Sequence, residues 1–211
     1  MNDGTDIADG AAFWEAHYRA KTAPSGGRPS AALVRFSEDR TPGRALDLGC
    51  ARGDDAIWLA RQGWHAAGVD VSETALAAAR GAAETAGVAD RTAFARHDLS
   101  ESFPEGRFDL VAALFLHSPA AFPRAQALRR AAEAVAPGGL LLSVTHASAA
   151  PWSWSSPNTA YPTPEEELAE LALDLAAWTR VLVGASERQA TGPGGQIATV
   201  TDNILALERG A

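Results

Sequence analysis

Residues 45–60, ALDLGCARGDDAIWLA, join an apolar run to an amphipathic one through a polar elbow. Asp47 precedes the elbow, Gly49 and Gly53 lie in it, and Asp54 and Asp55 close it. Glycines at such a place allow a tight turn and let a ligand approach the backbone without meeting a Cβ atom. A helix opening near Asp54 aims free N–H groups and a positive dipole end at the same point. A second carboxylate, Asp70, follows about 20 residues later, where doubly wound folds bond ribose hydroxyls. A third, Asp98 in His97-Asp98-Leu99, is placed to accept from an adenine amino group while Leu99 packs on the ring. The natural ligand of this set is a nucleoside with a charged tail and no phosphate.

Spacing argues against the phosphate-binding alternatives. A dinucleotide fingerprint G-x-G-x-x-G begun at Gly49 meets Ala51 and Asp54 at its second and third glycines, and an aspartate would face the diphosphate. No Gly-Lys-Ser/Thr is present for a P-loop.

The histidines divide by position. His117 and His146 fall at or just past C-terminal ends of strand-like runs, where either could take a proton from an acceptor hydroxyl, amine or thiol. His65, His97 and His17 read as packing residues, and Asp109 sits at the far end of its strand. In the N-terminal segment, Trp14 and Tyr18 are four apart and share a helix face, with Phe13 beside them. Trp152, Trp154 and Tyr161 lie in a Pro/Ser-rich loop that suits an apolar acceptor, an edge plug or a dimer contact. Cys50 is the only cysteine, which excludes an internal disulfide and a Cys-rich zinc site, and its thiol reads as core. No set of strand-end carboxylates suits a metal.

These groups must be positioned by alternating elements. Strand-like runs at 44–49, 64–71, 91–98, 108–117 and 140–147 alternate with helical patterns at 54–63, 72–87 and 120–136. The continuous apolar run FDLVAALFLH predicts a strand buried on both faces, and Ser72 and Gly87 bracket an alanine-rich helix. Pro137-Gly138-Gly139 predicts a turn into the fifth strand. After a short helix at PEEELAELA, two strand-like runs joined by QATGPGGQ read as a hairpin. The expected fold is α/β: a doubly wound, mostly parallel seven-stranded sheet with helices on both faces and a C-terminal antiparallel hairpin.

The chain has 211 residues, 46% hydrophobic and 21% charged, with a net charge of −8 and Lys21 as the sole lysine. That size suits one domain, and the charge opposes a phosphate-tracking surface for nucleic acid. The acidic start lacks a secretory pattern, and no apolar run approaches a membrane span of ~20 residues. A cytoplasmic protein with no nucleic-acid or membrane partner is expected, its oligomeric state open.

The runs LDLGCARGDDAIWLA, GVDVSETAL, HDL, FDLVAALFLH and APGGLLLSV together resemble the class I S-adenosylmethionine-dependent methyltransferases, over roughly residues 12–147. The lead-in FWEAHYRA…GRPSAALVRF looks like the small-molecule branch related to tellurite-resistance and thiopurine methyltransferases. The resemblance implies S-adenosyl-L-methionine as cofactor and a small-molecule methyl acceptor. It places Asp47, Gly49, Cys50, Ala51 and Gly53 at the methionine side, Asp70 on the ribose, Val71 on the adenine, and Asp98 with Leu99 at the adenine edge. Leu116 or His117 lines the cleft near the transferred methyl, Tyr18 contacts the cofactor from a lid, and Arg28 pairs with a carboxylate of the cofactor or of a substrate. It also divides a single 1–211 domain into an N-terminal helical lid (1–43), a cofactor core (44–147) and a substrate loop, helix and hairpin (148–211). One departure stands out: the family's middle glycine is Ala51, a small change if its φ is negative and a costlier one if positive. Where a DNA amino-methylase carries Asn/Asp-Pro-Pro-aromatic, this chain has Leu116-His117-Ser118-Pro119. Two rival readings are a non-catalytic S-adenosylmethionine-binding sensor and a nicotinamide-dependent oxidoreductase.

Overall fold

A computed structural model describes residues 9–21, 26–153 and 159–211. Among these, α1 (Gly10–Ala20) and α2 (Ala31–Ser37) lead into an alternating core. The core comprises β1 (Arg44–Leu48), α3 (Asp54–Arg61), β2 (His65–Asp70), α4 (Glu73–Thr85), β3 (Thr92–Arg96), β4 (Phe108–Leu114), α5 (Arg124–Ala134) and β5 (Val135–His146). The chain then runs through α6 (Pro164–Glu170), β6 (Trp178–Thr191) and β7 (Ile197–Arg209). The sheet order is β3-β2-β1-β4-β5-β7-β6. The first five strands are parallel, and β7 runs antiparallel to both β5 and β6. The order reverses between β1 and β4, which opens a crevice at their C-terminal ends.

Two-residue alternation builds both faces of the core. Leu46, Val111, Leu141 and Leu205 point to the α5 and α6 side, and Ala45, Leu110, Leu142 and Ile204 to the α2 and α3 side. Leu128 of α5 and Leu59 of α3 are fully buried against these faces. The apolar run of β4 is therefore buried on both sides, as its sequence predicts.

Three boundaries differ from expectation. The fourth strand stops at Leu114 because Phe115 takes φ +54°, a left-handed conformation that breaks the ladder. The following helix starts at Arg124, because Pro123 forms its N-cap. The segment Pro137-Gly138-Gly139 does not end an element. It forms an irregularity inside β5, where Phe108 pairs with Val135 but Leu110 pairs with Leu140, and Gly138 at φ +74° accommodates the extra residues.

Candidate functional site

At the crevice lies a cleft of about 350 Å3, within the range of roughly 300–1,000 Å3 for small-molecule sites. Gly49 lines it from the elbow, Asp70 and Val71 from the end of β2, Asp98 and Leu99 from the end of β3, and Leu116 and His117 from the end of β4. Trp14 and Tyr18 of α1 close it from above.

Backbone bonds hold the elbow. The N–H groups of Gly49 and Cys50 both donate to Val69 O, at 2.8 and 2.9 Å, and Gly53 N–H donates to Cys50 O at 2.8 Å. Gly49 has φ +72°, a left-handed conformation that favours glycine, and a Cβ there would stand 2.8 Å from Leu116 Cδ1, which would have to turn aside. Ala51 also has a positive φ, +50°, the costlier case. Its N–H donates to Asp70 Oδ2 at 3.0 Å, so the bond that ties the elbow to β2 holds an alanine in a left-handed conformation. Such a conformation costs roughly 1–2 kcal/mol for a residue with a Cβ. Glycine's extra freedom in the unfolded chain takes back about 0.4–1 kcal/mol. Ala51→Gly is therefore expected to stabilise the protein by about 0.5–1 kcal/mol in denaturant titration. A loss of stability would show that the methyl group packs usefully.

Acids surround the elbow. Asp47 is 3% exposed, and burial, then Asp55 and Asp70, push its carboxyl well above the usual range. Asp55 accepts from Ser30 N–H at 2.6 Å and is pushed up to about 6, mainly by burial. Asp70 bridges Ala51 N–H and, at 2.9 Å, Ser72 N–H. Burial still outweighs those bonds and raises it. Asp98 Oδ1 accepts from Ser100 N–H (2.9 Å) and Ser100 O–H (2.5 Å).

Helix α1 is pinned by a residue that the sequence did not single out. Glu15 accepts from Ser72 O–H (2.7 Å), Thr74 O–H (2.5 Å) and Thr74 N–H (3.2 Å), which seats α1 on the first turn of α4. Hydrogen bonds from Thr74 and Ser72 lower its carboxyl to about 2. Trp14 Nε1 donates to Ser118 Oγ at 3.4 Å, and the Trp14 and Tyr18 rings lie 6.1 Å apart. Burial, with Asp70 and Cys50 nearby, pushes the Tyr18 hydroxyl up, so it remains a donor. Arg52 donates to Lys21 O, tying the end of the lid to the elbow.

Beyond Leu116 the wall becomes aromatic. His117 stacks on His146 at 5.7 Å and 19°, and His146 stacks on Phe115 at 4.6 Å. The strained Phe115 lines the cleft, and Arg188 covers its ring at 5.4 Å. Although His117 keeps an exposed edge, burial of the rest of its ring, helped by Arg124 and His146, lowers it to about 4, so its imidazole is neutral near pH 7.

The cleft thus brings together Tyr18, Gly49, Asp70, Val71, Asp98, Leu99, Leu116 and His117. His146 joins them through its stack on His117. Other candidates point elsewhere. The Cys50 thiol is buried toward Gly68, a Cβ at Gly53 would meet Ala79 and Phe94 behind the elbow, and Arg28 is exposed. Asp47 and Ala51 form the floor of the elbow without lining the cleft. Trp152 packs where a Cβ of Gly192 would come within 2.6 Å of its ring, which fits the edge-plug reading for that residue. Tyr161 is half-buried, and Trp154 lies outside the described residues. Glu15 and Phe115 carried no readable motif. One weak signal for Glu15 was its place three residues before Tyr18 on the same helix.

Residues 45–139 match a family model described as a methyltransferase domain. Methyltransferase GfsG of Streptomyces halstedii is 34% identical over 105 residues, 46% of this chain and 36% of its own length. Ribosomal RNA small subunit methyltransferase C of Alcanivorax borkumensis is 44% identical over 52 residues, 23% of this chain and 16% of its own. The chain thus spans about a third or less of these curated relatives. Among solved structures, one concerns conversion of a disulfide bond into a thioacetal group during echinomycin biosynthesis. It aligns over 96% of this chain and 92% of its own, with TM-score 0.72 and 22% identity. TehB from Haemophilus influenzae aligns over 95% and 67%, with TM-score 0.65 and 18% identity. A methyltransferase from Geobacter sulfurreducens in complex with S-adenosyl-L-homocysteine aligns over 86% and 76%, with TM-score 0.54 and 21% identity.

Proposed function

We propose that this chain is a class I S-adenosylmethionine-dependent methyltransferase that methylates an O, N or S atom of a small molecule. The observation that carries the reading is the convergence of Gly49, Asp70 and Asp98, from three strand ends, on one cleft that α1 covers.

The residues fit S-adenosyl-L-methionine. Gly49 leaves room where a Cβ would press on the end of Leu116. Asp70 would accept from the ribose hydroxyls on lone pairs not used by Ala51 and Ser72, and Asp98 would accept from the adenine amino group. Val71, Leu99 and Leu116 offer apolar surface to the base. Tyr18 would donate from the lid. Buried Asp47 and Asp70 and half-buried Asp55 form a group of acids without a phosphate-binding feature, which favours a cationic tail over a diphosphate. When bound, the cofactor supplies a methyl group already activated on a sulfonium centre. What remains for this chain is to align the acceptor and exclude water, the work of Trp14, Tyr18 and the Phe115–His117 wall. The lid (1–43), core (44–147) and substrate region (148–211) are read as parts of one domain working on this cleft. No helix among the described residues is long and apolar enough to cross a membrane, and a cytoplasmic location belongs to the same proposal.

The buried acids give the reading a pH signature. Carboxyls raised by burial are partly protonated at mildly acidic pH, and a cationic ligand favours their ionised forms. Binding should therefore release protons, and affinity for S-adenosyl-L-methionine should rise with pH through about 6, where Asp55 titrates. Calorimetry in two buffers of different ionisation enthalpy measures the release. Uptake of protons would contradict the arrangement.

The functional test is titration with S-adenosyl-L-methionine, S-adenosyl-L-homocysteine and NAD, followed by an acceptor screen. Binding of the sulfur nucleosides and methylation of a small acceptor supports the proposal. Binding with no transfer to any acceptor favours the sensor reading, and NAD binding alone favours the oxidoreductase.

A further inference from the structure

His146 closes β5, and the antiparallel ladder sets it directly opposite Asp202 of β7. The Asp202 carboxylate lies 3.5 Å from His146 Nδ1 and is 6% exposed, while the imidazole is 46% exposed. Arg188 of β6 holds the other side of that carboxylate, with Nε 2.5 Å from Oδ2. Burial opposes ionisation of Asp202, but the bonds from His146 and Arg188 outweigh it and hold the carboxyl below its ordinary value. A buried, ionised carboxylate 3.5 Å from Nδ1 favours the proton on that nitrogen, which leaves Nε2 free to accept. Around the two stacked imidazoles stand Arg124 from α5, with Glu167 of α6 behind it, and Arg188 and Asp202 from the hairpin. The carboxylate is beside His146, with Arg188 on its far side, and Arg124 acts on His117 through its charge.

We propose that His146, positioned by Asp202, is the base that removes the acceptor's proton, and that the acceptor is a hydroxyl or amine still carrying that proton near neutral pH. The inference rests on the methyl-transfer reading and names its substrate class. His117 lines the cleft and the His146 ring lies 5.7 Å behind it, so an acceptor seated against His117 would have His146 beside it. His117 contacts it as a neutral hydrogen-bond acceptor, and His146 takes the charge. The acceptor's lone pair forms the new bond to the methyl carbon as the carbon–sulfur bond breaks with its electrons on sulfur. The acceptor's proton passes to Nε2 of His146, and from that exposed ring to solvent. Asp202 stays ionised throughout and acts as a positioning residue.

The test compares catechol and benzylamine, which carry the proton, with thiophenol, which is largely ionised near neutral pH. His146→Ala is expected to lower turnover of the first two by about 100-fold or more, to change thiophenol methylation less than about twofold, and to leave S-adenosyl-L-homocysteine affinity unchanged. Nitrogen-15 NMR of the parent should show His146 as a single Nδ1–H tautomer, with that preference lost in Asp202→Asn. Arg188→Met removes the other partner of Asp202 and should retain the tautomer, which separates positioning from damage to the fold. Equal losses on all three acceptors, or a tautomer indifferent to Asp202, would overturn the proposal. If S-adenosyl-L-homocysteine binds but no acceptor is methylated, the methyl-transfer reading fails, while the tautomer alone decides the His146–Asp202 pair.

Discussion

Asp70→Asn is expected to weaken S-adenosyl-L-homocysteine binding at least tenfold while leaving the protein as stable as the parent, or more so, at neutral pH. The two effects part because the carboxylate has two relationships. Its oxygens hold Ala51 N–H and Ser72 N–H, and an asparagine oxygen keeps one of these bonds. Burial of the charge, however, raises Asp70 above its unfolded value. A group so raised contributes stability below its unfolded pKa and loses that contribution as pH climbs through the folded one. At neutral pH the ionised side chain is therefore a burden that asparagine relieves. A ribose diol, by contrast, needs acceptors for both hydroxyls. Each hydrogen bond to a charged group is worth about 1.5–3 kcal/mol, so losing one corresponds to roughly 10- to 150-fold in affinity. Calorimetry and thermal melting read the two effects separately. Unchanged affinity would reduce Asp70 to a loop anchor, and a large fall in melting temperature would make its role structural.

The second large effect lies beneath the acceptor side. Glu167, in the first turn of α6, is 3% exposed. Its Oε1 accepts from Thr145 O–H at 2.5 Å and Asn203 Nδ2 at 3.2 Å, while Oε2 stands 3.8 Å from the Arg124 guanidinium. Arg124 donates to Ser143 Oγ at 2.9 Å, yet its buried Nε and Glu167 Oε2 have no hydrogen-bond partner. The pair is thus matched in charge but incompletely bonded, and removing one member strands the other. Glu167→Ala is expected to cost about 3–5 kcal/mol, a drop in melting temperature of roughly 10 °C for a chain of this length. Replacing both, as Glu167→Met with Arg124→Leu, should recover most of the loss, because two apolar groups need no counter-charge. A single variant as stable as the parent would mean that the pair contributes nothing net.

Much of the fold was legible because it depends on short-range patterning. The alternation in ALDLG, the double-sided apolar run FDLVAALFLH and the glycine-bounded helices each dictate an element locally, and repetition of strand–helix–strand dictates a parallel sheet. The order β3-β2-β1-β4-β5-β7-β6 follows from right-handed crossovers and the closing hairpin. What failed were boundaries set by single residues. Phe115 ends β4 through a left-handed φ that an aromatic rarely adopts, and Pro137-Gly138-Gly139 is absorbed into β5 because Val135 still pairs with Phe108.

The cleft divides along the same line. Gly49, Asp70 and Asp98 could be read from the sequence because each sits at a strand end, and the topology of an open parallel sheet brings strand ends together whatever the rest of the chain does. Glu15 on Ser72 and Thr74, Arg188 and His146 on Asp202, and Arg124 on Glu167 are contacts between elements 14 to 59 residues apart. Their spacing carries no period, since such a contact depends on how helices and hairpin settle against the sheet. The sequence alone determined the sheet, the elbow and the strand ends that line the cleft, where backbone geometry sets the positions. Only the tertiary structure decided how α1 is anchored, the strain at Ala51 and the charge array around His146, because those arise from side chains that meet through packing.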